Sequence, residues 1–242
     1  MKRVIVFGAS GGIGQEICRS LAADGWSIYV HYRKNVEVAQ KLATELLEKY
    51  PKQDFFTTKL DFAASDQQLE DFVQSLFPVN AVVFAQGITK YGFLSEQSLT
   101  DIDRVMKINL TVPIKLTKLL EPMLVKHEMS RIVYLGSVYG GQGSALETIY
   151  SATKAGLSRF SQAYAREVAS TGLTVNTIAP GAVATEMNKI FSKETLDEVR
   201  EEIPLGRLAH GEDVAYWVKT LLQAESKYCT GQTIYVSGGW LI

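Results

Sequence analysis

Short apolar runs alternate along this chain with longer stretches in which apolar residues recur every three or four positions. The short runs are rich in β-branched and aromatic residues, which is typical of strands, and the longer stretches have the period of amphipathic helices. Strands are predicted at KRVIVF, SIYVHY, DFFTTKL, NAVVFA, RIVYLGS, LTVNTIAPG and QTIYVSGG. Helices are predicted at 12–25, 36–50, 65–77, 99–126, 149–170 and 211–224, with a charged amphipathic segment at 193–202.

This alternation predicts the fold class. Near-continuous apolar strands separated by helices indicate a parallel sheet that is covered on both faces. Right-handed crossovers then give a Rossmann-type, doubly wound α/β fold with about seven strands. No linker, repeat or low-complexity segment divides the chain, so we expect one domain over residues 1–242.

Composition narrows the class of protein. Of 242 residues, 46% are hydrophobic and 21% are charged, and the net charge is -1, so a full core is expected without a general attraction to nucleic acid or anionic membrane. No apolar run approaches the ~18 residues of a membrane span. Two distant cysteines and three scattered histidines suggest neither a disulfide framework nor a metal site. We expect a cytoplasmic protein with no metal, nucleic-acid or membrane partner.

The first predicted strand runs into FGASGGIG, a glycine-rich turn that opens the first helix. Glycines let the backbone turn tightly and approach a pyrophosphate, and the helix N-terminus supplies free N–H groups and a positive dipole. The position between first strand and first helix makes the glycines a dinucleotide-binding signal, with a ligand-free tight turn as the alternative. The residues predicted to line this turn are Gly8, Ser10, Gly11, Gly12, Ile13 and Gly14.

The end of the second strand bears on cofactor choice. An acidic residue about 20 positions after the glycines would bind the ribose 2′-hydroxyl of NAD. Here that place holds Tyr32, followed by Arg33. Because an arginine can pair with a 2′-phosphate and stack on adenine, NADPH is expected rather than NADH. The alternative is a solvated basic loop.

A tyrosine and a lysine carry the candidate chemistry. Tyr150 and Lys154 are four residues apart, so both lie on one face of the predicted helix. A nearby cation lowers a tyrosine pKa of about 10 and lets the phenol act as a general acid or base. Ser137, at the end of the fifth strand, is placed to bind the same substrate oxygen, and Asn109 can complete a proton relay through a water.

Taken together, the GxxxGxG turn and the Asn, Ser and YxxxK residues resemble the catalytic set of the short-chain dehydrogenase/reductase family, over the whole chain. The resemblance implies hydride transfer from the nicotinamide to a carbonyl that Tyr150 protonates. It also implies a substrate lid at 186–206, for which a solvated helix face is the alternative, and a homotetramer assembled through 99–126 and 149–170, with a dimer possible. The further cofactor contacts that it implies are Asp61, Phe62, Ala85, Gln86, Gly87, Tyr150, Lys154, Pro180, Gly181, Val183 and Thr185.

The chain departs from this family at two strand ends. The glycine turn, which usually begins with threonine, begins with Phe7, and the usual NNAG after the fourth strand is Phe84, Ala85, Gln86 and Gly87. We hypothesise that Phe7 and Phe84 are one compensated exchange of a polar contact for apolar packing. Gln86 replaces a small residue in the implied adenine pocket, and for Asp61 a helix-capping or turn aspartate is the alternative.

Two substrates fit the resemblance. YSATKAG and IPLGRLA are similar to 3-oxoacyl-acyl-carrier-protein reductases, but the positions where those enzymes dock an acidic carrier protein hold Glu128 and Thr171. LETIYSATKAG, EEIPLGRLA and SGGWLI are similar to bacterial elongation factor P 5-aminopentanone reductases, although Leu146 replaces their cysteine. Glu147 would favour a substrate with an ammonium group, unless it is a solvent-facing loop residue. A nucleotide-sensing protein without turnover is the remaining alternative.

Overall fold

The computed structural model describes residues 2–185 and 192–241, and within these ranges seven parallel strands form one sheet in the order β3-β2-β1-β4-β5-β6-β7. The strands are β1 Arg3–Phe7, β2 Ser27–Tyr32, β3 Phe55–Lys59, β4 Ala81–Phe84, β5 Ser130–Leu135, β6 Leu173–Pro180 and β7 Thr233–Val236. The apolar runs of the sequence therefore located every one of these strands, with bounds that differ by a few residues.

Eight α-helices in the described ranges cover the sheet. They are α1 Gly12–Ala23, α2 Val36–Lys49, α3 Asp66–Gln74, α4 Leu99–Met106, α5 Val112–Leu124, α6 Thr148–Val168, α7 Lys193–Glu202 and α8 Gly211–Leu222. α1, α2 and α8 bury apolar residues against one face of the sheet, and α3, α5 and α6 do so against the other. The predicted doubly wound architecture is thus confirmed. None of the helices in these ranges is long and apolar enough to span a bilayer.

The strand order places the candidate site. The chain leaves β1 toward β3 on one side and returns to β4 on the other side of β1. This reversal opens a crevice at the carboxyl ends of β1 and β4, where ligands bind in open α/β sheets. The glycine turn after β1 and the FAQG segment after β4 both lie there.

The helix predicted over 99–126 is present from Leu99 to Leu124, but it is not α-helical throughout. A π-helical segment, Lys107–Thr111, separates α4 from α5. The wider turn inserts an extra residue without interrupting the apolar periodicity, so the sequence pattern does not show it. Asn109 lies in this segment and is completely buried.

Phe7 and Phe84 are paired directly across β1 and β4. Their rings stack with centroids 5.0 Å apart, and Phe84 stacks in turn on Tyr134 at 5.0 Å. All three side chains are fully buried. The predicted contact between Phe7 and Phe84 is therefore confirmed, and apolar packing occupies the position of the polar contact expected in the family.

Candidate active site

The glycine turn forms an open cradle before α1. Gly8 has a φ of +79°, and a Cβ on Gly14 would lie 2.2 Å from the carbonyl oxygen of Gly8, so neither position accepts a side chain. No side chain caps the N-terminus of α1, and its first turn holds no acidic residue. The first amides of the helix and its positive end are thus left for an anion such as a pyrophosphate.

The loop after β6 lies against this cradle. The Cγ2 atom of Thr185 is 3.2 Å from the position that a Cβ would take on Gly12. Pro180 ends β6 and is buried, Gly181 follows it, and Val183 forms an isolated bridge with Ala209. Ser10 and Ile13 are half-buried within the turn, and Gly11 and Gly12 are exposed. The fold therefore brings the predicted pyrophosphate and carboxamide segments together.

The opposite end of the crevice holds the predicted adenine contacts. Within the described ranges, the guanidinium of half-buried Arg33 makes no hydrogen bond or ion pair, which leaves it available to a phosphate. Asp61 is exposed and accepts a hydrogen bond from the amide of Ala63 at 2.9 Å, as a turn aspartate does. The side-chain oxygen of Gln86 is buried without a hydrogen-bond partner among these residues. The remaining predicted contacts here are half-buried Tyr32, Ala85 and Gly87 and buried Phe62.

Ser137 and Tyr150 meet beyond the end of β5. Ser137 lies two residues after the end of the strand and is buried, and Tyr150 lies in the first turn of α6. The tyrosine hydroxyl bonds to the serine side chain, which lowers the tyrosine pKa, but burial is the larger effect and raises that pKa. Hence the expectation that a cation would lower this pKa is not met.

Lys154 is buried as well. The side chain is 3% exposed, and its Nζ donates a hydrogen bond to the carbonyl of Leu135 at 2.7 Å. Because burial disfavours the ammonium form, the pKa of Lys154 falls to about 8. Nζ lies 5.5 Å from the centroid of the Tyr150 ring, and with a pKa of about 8 the lysine is still mostly protonated at neutral pH.

The side-chain amide of Asn109 bonds to the loop after β4. It accepts a hydrogen bond from the amide of Ile88 at 2.9 Å and donates one to the Ile88 carbonyl at 2.8 Å. It also lies 3.3 Å from the hydroxyl of Thr153 on α6. The π-helical segment therefore turns Asn109 inward, where it fixes the loop after β4 against α6.

Two carboxylates act on the tyrosines of the candidate site. Glu147 is half-buried and accepts a hydrogen bond from the hydroxyl of Thr89 at 2.7 Å, so it is not a solvent-facing loop residue. Burial raises the pKa of Glu147, and its charge helps to raise the pKa of Tyr150. Glu147 and Glu202 both act on the pKa of Tyr139, two residues after Ser137. The candidate substrate side is thus acidic.

The predicted lid lies partly outside the described residues, which resume at 192. α7 has no buried residue, as expected of a solvated helix. At its end, Glu202 accepts a hydrogen bond from Nε1 of Trp240 at 3.1 Å, and Trp240 packs edge-on against Tyr139 with centroids 5.8 Å apart. Trp240 therefore connects the end of α7 with the segment that follows Ser137.

Sequence reasoning missed His31. Its ring is 3% exposed, its Nδ1 accepts a hydrogen bond from the amide of Gly8 at 3.0 Å, and its Nε2 lies 3.0 Å from the carbonyl oxygen of Leu60. The available signal was a polar residue inside an otherwise apolar strand, one position before Tyr32. Its partners are distant in the sequence, so the contacts themselves were not foreseeable.

Comparisons with known proteins agree with this geometry. The family model described as short chain dehydrogenase matches residues 2–195. The chain belongs to the short-chain dehydrogenase/reductase family. It is 32% identical over 244 residues to "Uncharacterized oxidoreductase YmfI" of Bacillus subtilis (strain 168), covering 99% of this chain and 98% of that protein.

Two further proteins are also similar over their length. The 3-oxoacyl-[acyl-carrier-protein] reductase FabG of Staphylococcus epidermidis is 32% identical over 241 residues, covering 98% of each chain. A solved structure of a blue fluorescent protein from a metagenomic library, in complex with NADPH, superposes with a TM-score of 0.92 at 30% identity and covers 100% of this chain and 98% of that one. The chain is therefore an oxidoreductase of the short-chain dehydrogenase/reductase family.

Proposed function

We propose that this protein is an NADPH-dependent reductase that converts a ketone into a secondary alcohol. The observation that carries the proposal is the meeting of Ser137, Tyr150 and Lys154 at the carboxyl edge of the sheet, beside an uncapped helix N-terminus. A regulatory nucleotide sensor would not need this acid and its partners. NADPH supplies the hydride when it is bound.

Each side chain has a defined task in this proposal. The hydroxyls of Ser137 and Tyr150 face the same substrate oxygen, and Tyr150 gives up its proton to that oxygen. Burial raises the tyrosine pKa, so the phenol carries its proton at neutral pH, and the strongly basic alkoxide that forms as hydride reaches the carbonyl carbon takes that proton. Lys154 holds the nicotinamide ribose, and Asn109 fixes the loop against which the ribose would lie.

The cofactor preference is inferred from the basic end of the crevice. The amides before α1 would hold the pyrophosphate, and Arg33, which has no partner in the described ranges, would pair with the 2′-phosphate. A carboxylate that would favour the 2′-hydroxyl of NADH is absent from that position. Arg33→Ala should therefore weaken NADPH binding far more than NADH binding.

A 3-oxoacyl chain is the first candidate substrate, because reductases named for it are similar along their whole length. The docking positions, however, do not favour an acidic partner. Glu128 and Thr171 are both exposed and precede β5 and β6, at the edge of the sheet opposite Ser137. They lie close together, since the Glu128 carbonyl oxygen is 2.4 Å from the position of a Cβ on Gly172.

One specific observation favours the second candidate, the ketone on the modified lysine of elongation factor P. That substrate carries an ammonium group, and the carboxylates of Glu147 and Glu202 both act electrostatically at Tyr139, with Glu147 also acting at Tyr150. Opposite charges attract strongly in a half-buried site. The acidic substrate side therefore suits a cationic ketone better than a neutral acyl chain.

The test is NADPH oxidation with two substrates in parallel, an acetoacetyl thioester and elongation factor P that carries the aminopentanone lysine. Tyr150→Phe should lower turnover by about 100-fold or more while NADPH still binds. The matched control is Tyr164→Phe on the same helix, whose hydroxyl bonds to Glu121 at 2.9 Å, away from the crevice. NADPH binding without oxidation by either ketone in the wild type would favour the sensor.

We also propose assembly into a homotetramer through the outer surfaces of α4, α5 and α6. Large apolar side chains are exposed together at and just before the start of α4, namely Phe93 at 63%, Leu94 at 51% and Leu99 at 80%, and such patches mark protein interfaces. Sedimentation at micromolar concentration should give four times the chain mass of 26.8 kDa. A monomer would contradict this assembly.

A further inference from the structure

His31 makes two hydrogen bonds that together select one form of its ring. The carbonyl oxygen of Leu60 only accepts, so Nε2, 3.0 Å away, must carry the proton. Nδ1 is then an acceptor, as the amide of Gly8 requires at 3.0 Å. The two contacts are compatible only with the neutral imidazole protonated at Nε2.

Packing enforces the same form. Phe7 contacts the His31 ring edge-on with centroids 5.1 Å apart, and Phe62 lies at 5.7 Å. Burial among these rings lowers the pKa of His31 to about 4, although the Leu60 carbonyl and the carboxylate of Asp61 act in the opposite direction. The ring therefore stays neutral at physiological pH, and Asp61 is the charged group that acts on it.

The position of the ring connects three segments that the proposed nucleotide site uses. Gly8 is the first glycine of the turn, Tyr32 and Arg33 follow His31 directly, and Asp61 follows Leu60 directly. We infer that His31 is a positioning residue for the nucleotide, because it fixes the glycine turn to the end of β3 and so sets the distance between the pyrophosphate cradle and the adenine end of the crevice. This inference rests on the proposed nucleotide-dependent function.

Three variants separate positioning from space filling. His31→Phe keeps an aromatic ring between Phe7 and Phe62 but removes both hydrogen bonds. His31→Asn retains an acceptor for the Gly8 amide and is too short to reach Leu60 at the same time. His127→Gln, before β5 and remote from the crevice, is the control.

The first measurement is the NADP+ dissociation constant by titration calorimetry, without any ketone. His31→Phe should raise it roughly tenfold or more, because the buried Gly8 amide and Leu60 carbonyl lose their partners. His31→Asn should fall between His31→Phe and the wild type, and His127→Gln should match the wild type. At saturating NADPH, the turnover number of His31→Phe should stay near the wild-type value, so that the loss appears in KM alone.

The second measurement needs no variant. Nitrogen NMR of the imidazole in the nucleotide-free wild type should show the proton on Nε2, and the Gly8 amide should exchange slowly with solvent. A proton on Nδ1, or unchanged NADP+ affinity in a folded His31→Phe protein, would overturn the inference. Failure of the protein to reduce either ketone would sink the proposed function and leave these binding and NMR results standing.

Discussion

The stacked pair of Phe7 and Phe84 allows a quantitative test of how this chain departs from its family. Phe7→Thr or Phe84→Asn removes a ring that is fully buried and stacked at 5.0 Å on its partner. Loss of such a ring costs about 3 kcal/mol, and the new polar group, left without a partner, costs a further ~1–3 kcal/mol. In the double variant the hydroxyl and the amide face each other at paired positions of β1 and β4, so they can satisfy each other.

The assay is urea unfolding of the wild type, both single variants and the double variant. The double variant should be less destabilised than the sum of the single variants by about 1–3 kcal/mol, which is the cost of the unpaired polar groups. Additive effects within about 0.5 kcal/mol would refute the compensated exchange. Phe7→Thr combined with Leu21→Ala, in the core on the other face of the sheet, is the control and should be additive. If the polar variants are too unstable to measure, Phe7→Leu and Phe84→Leu should still show the ring coupling of about 0.5–1.5 kcal/mol.

Three other changes give clear outcomes. Relative to His31→Asn, the wild type should lose about 3 kcal/mol of stability as the pH falls from 6.5 to 4. The reason is that the imidazole binds a proton in the unfolded chain but not in the folded protein, where burial lowers its pKa to about 4. Parallel pH profiles of the two proteins in urea unfolding would contradict this. Glu147→Gln should lower kcat/KM roughly tenfold for the ammonium-bearing ketone and leave kcat/KM for the neutral thioester unchanged. Equal losses for both substrates would show that Glu147 does not recognise the ammonium group. Arg131 is 3% exposed and has no carboxylate partner in the described ranges, so Arg131→Met should raise the free energy of unfolding by about 1 kcal/mol. A loss of stability in urea would show that the hydrogen bonds of Arg131 to backbone carbonyls stabilise the fold by more than its buried charge costs.

The sequence predicts the sheet well because each buried strand is a short apolar run with its own boundaries. It also predicts which side chains gather at the crevice, since parallel strands deliver their following residues to one edge. Ser137 after β5 and Gly8 after β1 illustrate this. These inferences need only local pattern and the rules of parallel sheets.

The remaining features depend on long-range contacts. Burial in the folded protein raises the pKa of Tyr150. The spacing from Lys154 in the sequence predicts a lowered pKa, which is the opposite direction. His31 acquires its role from Leu60, 29 residues away in the sequence. The π-helical segment leaves the apolar period intact, so only the folded backbone reveals it.

That segment also separates what the fold requires from what the site requires. A π turn is equivalent to one residue added within an α-helix, with the helix on either side unchanged. Deleting one residue from 107–111 should let the backbone relax to a continuous α-helix while α4 and α5 keep their places. Asn109 would then lose the inward turn that directs it to Ile88. The number of residues in this segment therefore matters for the site. A relative with one residue fewer here would still form a continuous helix, although its asparagine would no longer be directed to the loop after β4.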